Sequence, residues 1–272
     1  MIEIWQAIVL GLVQGLTEFL PVSSSGHIAF FQRCFGMTDI TLFFSIILHL
    51  GTLVAVCVVF WRDILALFKK PFKTLGFLVL ATIPAAIVGL LLDDIIEDAI
   101  LNGSYFGIIL AALFLVTATV LFLTERFAKR RALELPLCFK TVIPMGLAQA
   151  VAILPGISRS GSTICAGTFA GGKSEEVAKF SFLMSIPVIL GSFVVELYKG
   201  LRDNEIQQNF VEGGAVFGWS VALGFVISAI AGLFAIKIML KAIKNANYKW
   251  FSLYLVLIAI TSMVLQFTYF NK

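Results

Sequence analysis

The chain has 272 residues, 60% of them hydrophobic and only 13% charged, with a formal net charge of +4 and a mean hydropathy of +1.00. A soluble domain carries about 25% charged residues, and no soluble fold of this length hides so much apolar surface, so a soluble enzyme, a disordered chain and a nucleic-acid module are all excluded. The apolar runs are continuous rather than alternating, which predicts membrane helices rather than a barrel.

The opening sequence Met-Ile-Glu-Ile lacks the basic stretch of a secretory signal, so insertion is expected to use the helices themselves. The first region, 4–36, is interrupted by Pro21 and by Ser23-Ser24-Ser25-Gly26. Long, nearly uncharged runs follow at 42–61, 74–92 and 105–124. A second interrupted region, 141–170, contains Pro155-Gly156 and Ser158-Arg159-Ser160-Gly161. Three further long runs occupy 180–198, 214–236 and 250–270. Each long run covers about 30 Å of hydrocarbon at about 1.5 Å per residue. Trp61, Tyr105, Tyr198, Trp219, Tyr248, Trp250 and Tyr269 mark their ends as interfacial anchors. Irregular backbone at membrane depth is tolerated only inside protein or beside a water-filled cavity. Both interrupted regions therefore read as re-entrant hairpins with their tips near the midplane. The expected fold is an all-α integral membrane protein, with six transmembrane helices and two re-entrant helical hairpins in one membrane domain, 1–272.

Loop charge supports that count. Segments 62–73, 125–140, 171–179 and 237–249 carry four, five, two and four Lys or Arg, fifteen in all. The alternate loops carry four: Arg33, Lys199, Arg202 and Lys272. The positive-inside rule then puts 125–140 in the cytoplasm and both termini outside. Cys34, Cys57, Cys138 and Cys165 form no Cys-x-x-Cys and no Cys/His cluster, and read as packing residues rather than zinc ligands.

The interrupted regions resemble each other. Gly11-Leu12-Val13-Gln14, Leu20-Pro21 and Ser23-Ser24-Ser25-Gly26 are echoed by Gly146-Leu147-Ala148-Gln149, Leu154-Pro155 and Ser158-Arg159-Ser160-Gly161 at an offset of about 135 residues. Phe44-Ser45 and Phe180-Ser181 add a further echo. Each half, about 1–135 and 136–272, then holds one hairpin and three spans. Three is odd, so the halves are inverted and the hairpins enter from opposite faces. Inverted repeats with broken helices place their site at the midplane between the repeats.

The two turns carry the chemistry. Gln14 and Glu18 share one helix face, and a carboxylate deep in an apolar segment marks function. The serine turn opens a helix expected to begin near residue 27, whose N-terminus offers free N–H groups to an anion. Ser24 and His27 lie one turn apart, so His27 can reach the Ser24 hydroxyl. His49 has no such company and reads as a packing or hydrogen-bonding residue. Arg159 sits at the second helix N-terminus among hydroxyls, which suits an oxyanion held by a planar fork; the alternative is a salt bridge to Glu18. No Walker loop or Gly-x-Gly-x-x-Gly is present. The set suits a phosphate or diphosphate on a body that lies in lipid, handled by a lipid-phosphate enzyme or a lipid-phosphate transporter. A hard divalent cation, Mg²⁺ or Ca²⁺, held by Glu18 and Gln14 is part of the expectation.

The stretches Gln14-Gly15-Leu16-Thr17-Glu18-Phe19-Leu20-Pro21-Val22-Ser23-Ser24-Ser25-Gly26-His27 and Pro155-Gly156-Ile157-Ser158-Arg159-Ser160-Gly161-Ser162-Thr163 resemble the two signature motifs of the undecaprenyl-diphosphate phosphatase family, the bacitracin-resistance proteins. Many members have Glu at the position of Gln14. The resemblance implies hydrolysis of undecaprenyl diphosphate to the monophosphate and phosphate, recycling the lipid carrier for peptidoglycan and other wall polymers. It implies a multi-pass protein of the bacterial cell membrane with its site open to the extracytoplasmic face. Ser24, His27 and Glu18 would be catalytic; Arg159, Ser158, Ser160, Gly161, Thr163, Ser23 and Ser25 would hold the diphosphate; Glu18 and Gln14 would hold the cation. Ser24 attacking with His27 as base, and His27 attacking or activating water, both stand at this point. A flippase built on the same repeat is the alternative function. The expected partners are a polyprenyl diphosphate lipid and the bilayer, not nucleic acid, with a homodimer left open.

Overall fold

In hydrocarbon every backbone N–H and C=O has to be satisfied within the segment, and the long apolar runs do this by coiling into helices. The computed structural model describes residues 2–37, 42–101, 103–128, 134–202, 205–245 and 247–270. Over these residues the chain forms α1 (Ile4–Phe19), α2 (Ser24–Cys34), α3 (Leu42–Val59), α4 (Trp61–Leu67), α5 (Lys73–Ile96), α6 (Phe106–Ala128), α7 (Phe139–Val151), α8 (Arg159–Phe169), α9 (Ser174–Arg202), α10 (Glu205–Lys244) and α11 (Lys249–Leu265). Single π-helical turns, Glu97–Leu101 and Gln266–Phe270, extend α5 and α11. Among the described residues the β-structure is one isolated bridge, Leu135 to Gly172.

Among the described residues five segments are long and apolar enough to cross a membrane: Lys73–Leu92, Phe106–Ala128, Ser174–Arg202, Gly213–Lys244 and Lys249–Phe270. A sixth forms if Phe44–Val59 and Trp61–Leu67 count together, although an 82° bend separates them. The expected straight run over 42–61 therefore stops at Phe60. Beyond it Arg62 and Asp63 are polar, and Asp63 accepts a hydrogen bond from Lys179 of α9 at 2.9 Å, which holds α4 across the bundle. Helix also extends further into the expected loops than the apolar runs do. α9 continues to Arg202 and α10 to Lys244, because the polar ends of these helices need no hydrocarbon to stay coiled. Within α10 the backbone breaks at Gly214 (φ 50°, ψ −138°), the residue at which the apolar run begins.

α1 and α7 have 16 and 13 residues. They reach about 24 and 20 Å, short of the roughly 30 Å hydrocarbon core. α7 starts 135 residues after α1 and α8 starts 135 residues after α2, and α2 and α8 are both 11 residues long. α1 packs mainly on α10, and its counterpart α7 packs mainly on α5. Glycines make these contacts close. A Cβ on Gly11 would lie 2.8 Å from the Gly224 carbonyl oxygen, and one on Gly146 would lie 3.0 Å from Ala81. α6 and α11 pack on each other. Glu125 near the end of α6 accepts the N–H groups of Tyr248 and Lys249 at 2.7 and 2.6 Å, so a carboxylate caps the start of α11. Phe106, Leu110, Phe114, Leu121, Met145 and Phe180 fill the centre. All four cysteines are free; Cys165 is buried, and Cys34, Cys57 and Cys138 are partly buried.

Gly15 offers a direct test of this packing. A Cβ there would sit 2.5 Å from both Ala231 Cβ and the Ser228 carbonyl oxygen. Overpacking of this kind costs about 1–3 kcal/mol. Gly15→Val is expected to lower the thermal unfolding midpoint in detergent clearly, whereas Gly76→Ala, which meets nothing within 4 Å, leaves it within a degree or two of the parent.

Candidate active site

The site begins with two turns that need each other. Pro21 disfavours helical backbone before it, so α1 ends at Phe19. Ser23 then adopts φ 70°, ψ 96°, a conformation that costs a non-glycine residue about 1–3 kcal/mol and persists only where surrounding contacts hold it. Its hydroxyl oxygen accepts the Gly26 N–H at 3.3 Å and, from the other turn, the Gly156 N–H at 3.0 Å. The second turn mirrors this, with Ser158 Oγ accepting the Gly161 N–H at 3.1 Å. Ser160 Oγ donates to the Leu20 carbonyl at 3.0 Å. From α6, Thr117 Oγ1 donates to the Gly156 carbonyl at 3.0 Å and accepts the Ser158 N–H at 3.3 Å. The approach is so close that a Cβ on Gly26 would lie 2.8 Å from Gly156 N and Cα. Gly156 itself has φ 101°, which a residue without a Cβ adopts freely.

Tip-to-tip contact brings Glu18 and Arg159 together across 141 residues. Glu18, only 7% exposed, receives Arg159 Nη2 on Oε1 at 2.6 Å. On Oε2 it receives the Ser24 hydroxyl at 2.7 Å and Gln14 Nε2 at 3.0 Å. His49 Nε2 lies 3.9 Å from the same oxygen. The Arg159 fork is spread, with Nη1 donating to the Ser181 carbonyl of α9 at 3.2 Å. A nucleophile-type hydroxyl, a carboxylate that accepts its hydrogen and a guanidinium thus share one small volume at the N-termini of α2 and α8.

Not every expected contact forms. α2 begins at Ser24 rather than near residue 27, because Ser23 caps it there. His27 does not meet the Ser24 hydroxyl; that hydroxyl goes to Glu18. His27 places Nδ1 2.8 Å from the Ser23 carbonyl oxygen and Nε2 2.8 Å from the Tyr254 hydroxyl. Ser158, Ser160 and Thr163 are nearly fully buried. Their hydroxyls are committed within the protein, and Thr163 pairs with Ser181 Oγ at 2.6 Å. Gly161 packs against Pro21 of the first turn. Ser25 is exposed, with its hydroxyl 3.5 Å from that of Ser23. The expected salt bridge alternative for Arg159 is the arrangement observed.

His49 is the residue that spacing missed. Its Nδ1 lies 2.8 Å from the Ser45 carbonyl, which turns Nε2 toward Glu18. The available signal was a histidine inside an apolar run, unusual in itself. Tyr254, on the final helix, carried no signal at all.

No group of three or more His, Cys, Asp or Glu suited to a metal occurs among the described residues. The oxygens that could face a cation are those of the Glu18 carboxylate, which already accepts from Arg159, Ser24 and Gln14, and Gln14 Oε1, a buried oxygen without a hydrogen-bond partner. Two protein oxygens suit a hard cation that takes its other ligands from water and phosphate, so the pair fits a shared rather than a caged ion.

Residues 7–261 match the family described as bacitracin resistance protein BacA. The chain belongs to this family. It is 42% identical over 267 residues to an undecaprenyl-diphosphatase of Carboxydothermus hydrogenoformans, covering 96% of this chain and 97% of the relative. It is 39% identical to one of Caldicellulosiruptor bescii, covering 92% of both, and 35% identical to one of Halothermothrix orenii, covering 97% of this chain and 98% of the relative. In this family member both signature motifs converge on the Glu18 carboxylate and its donors.

The doubly accepting Ser23 hydroxyl makes a testable case. Ser23→Ala leaves two buried N–H groups without an acceptor, at about 1–3 kcal/mol for each such group. The variant is expected to unfold at lower temperature and to lose most phosphate release, whereas Ser25→Ala, at the exposed neighbour, keeps the unfolding temperature close to the parent value.

Proposed function

We propose that this chain hydrolyses undecaprenyl diphosphate to undecaprenyl phosphate and inorganic phosphate, and so supports recycling of the wall-polymer carrier and bacitracin resistance. The observation that carries the reading is the Ser24 hydroxyl donating to Glu18 while Arg159 holds the other oxygen of the same carboxylate. A lipid carrier protein needs anion donors but no activated hydroxyl, so the pair favours hydrolysis over transport.

Ser24 Oγ attacks the terminal phosphorus and its proton passes to Glu18. The bond from that phosphorus to the bridging oxygen breaks, and undecaprenyl phosphate leaves as a stable phosphate anion. Water then attacks the phosphoserine, its proton going to the departing phosphate while Glu18 returns its proton to Ser24 Oγ. Arg159, held by Glu18 and the Ser181 carbonyl, turns its charge and its remaining N–H groups to the equatorial oxygens as charge moves, and the α2 N-terminus adds a partial positive charge. Glu18 and Gln14 would hold a divalent cation shared with the diphosphate, which when bound neutralises phosphate charge. His27, with both ring nitrogens occupied, positions the turn rather than serving Ser24 as base.

The same reading places α1–α2 and α7–α8 as re-entrant hairpins of an inverted repeat, with six crossings formed by α3–α4, α5, α6, α9, α10 and α11. The 135-residue correspondence of helix starts and the reciprocal packing of α1 on α10 and α7 on α5 support it. The first hairpin then enters from outside, and the site faces the extracytoplasmic side of the bacterial membrane.

Three measurements test this. Purified protein in detergent is expected to release phosphate from a polyprenyl diphosphate and far less from the monophosphate; equal rates on water-soluble phosphate esters would contradict a lipid-fed site. Arg159→Lys is expected to be nearly as damaging as Arg159→Ala, since Lys cannot span Glu18 and the Ser181 carbonyl at once; a rate within a few-fold of the parent means that charge alone suffices. In a cysteine-free background, Glu134→Cys is expected to label only from the cytoplasm and Ser104→Cys only from outside. The opposite or a mixed pattern breaks the inverted arrangement.

A further inference from the structure

His27 has both of its ring nitrogens engaged inside the protein. Nδ1 faces the Ser23 carbonyl oxygen at 2.8 Å, and Nε2 faces the Tyr254 hydroxyl at 2.8 Å. A carbonyl oxygen only accepts, so Nδ1 carries a hydrogen. Among the described residues no carboxylate lies within ion-pair distance of His27, so nothing balances a charged ring in this buried position. In the neutral ring Nε2 is a bare acceptor, and the Tyr254 hydroxyl is its donor. The Tyr254 ring also stacks on the imidazole, with centroids 5.5 Å apart and 11° between planes, and Phe114 closes the other side at 5.1 Å. His27 is consequently 1% exposed, although Tyr254 stands on the outer face of α11.

The bond to Ser23 matters because of what Ser23 does. It holds the left-handed turn immediately before Ser24, and its hydroxyl clamps both hairpin tips. The His27 N–H adds a second donor to the Ser23 carbonyl, which also accepts the His27 backbone N–H at 3.2 Å. In the other neutral tautomer, with hydrogen on Nε2, a bare Nδ1 would face that carbonyl lone pair to lone pair, and the turn would open.

We propose that Tyr254 is a positioning residue for the reaction. Its hydroxyl locks His27 as the Nδ1–H tautomer, and through His27 and Ser23 it fixes the turn that aims Ser24. This makes the last helix of the second half a partner of the first hairpin, and it rests on the reading of Ser24 as the attacking group.

The experiment uses the full chain in detergent with ¹⁵N-labelled histidine. The sequence has two histidines, so His49→Gln assigns the His27 signals. The unsubstituted protein is expected to show His27 with its hydrogen on Nδ1; a hydrogen on Nε2 overturns the proposal before any variant is made. Tyr254→Phe keeps the stacked ring and removes only the donor. It is expected to shift His27 toward the Nε2–H form and to lower kcat about tenfold, with KM within about two-fold. The double variant Tyr254→Phe with His27→Gln is expected to be no slower than the slower single variant. A lost tautomer with an unchanged rate, a retained tautomer with a lost rate, or losses that multiply each overturn it. Ser24→Ala with full activity would instead remove the assignment of Ser24, and it leaves the tautomer measurement unaffected.

Discussion

A carboxylate held inside an apolar helix bundle persists only where donors collect around it, and the need to satisfy Glu18 organises this protein. Water supplies none at 7% exposure, so the partners come from α1, α2 and α8, with His49 of α3 nearby. Removing one partner of such a buried pair typically costs about 3–5 kcal/mol, because the other charge is left uncompensated. The pair therefore ties α1 to α8, whose paired residues lie 141 positions apart in the sequence. It also places a hydroxyl and a guanidinium on one carboxylate, groups of the kind that act on a phosphoryl group by positioning and electrostatics.

The same demand acts on the backbone. Two helices stop inside the bundle, and each stop exposes N–H and C=O groups that have no helical partner. The turns resolve this by satisfying one another. Ser23 accepts from both tips, Ser160 returns a bond to the first, and Thr117 braces the second from α6. The strained backbone at Ser23 is held by this network rather than by its own preference. Several hydroxyls that look like ligands in the sequence are thus committed to bonds within the protein, and Ser24, Glu18 and Arg159 meet beside them.

Packing follows the symmetry of the problem. α1 and α7 are too short to span the bundle alone, and each lies against a long helix from a distant part of the chain, α1 on α10 and α7 on α5. Glycine or alanine at each contact lets the backbones approach. The site lies where the two turns touch, and residues of both turns are needed to form it.

Sequence by itself determined the class of the protein. Hydrophobic runs and the two motifs point to membrane helices, two interrupted regions and the group Glu18, Ser24 and Arg159 that the fold brings together, because burial in lipid and helix termination are local demands written in composition and in Pro, Gly and Ser. Spacing also gave His27 a partner in Ser24, since residues one turn apart share a face. Only the tertiary structure decided otherwise. Cap geometry at Ser23 starts the helix three residues early and turns the His27 ring toward the Ser23 carbonyl, where Tyr254, 227 residues away, completes it. The same holds for His49 beside Glu18 and for the 82° bend after Val59. Side-chain direction depends on neighbours from distant segments, and no periodicity within one helix encodes which neighbour a packed bundle will supply.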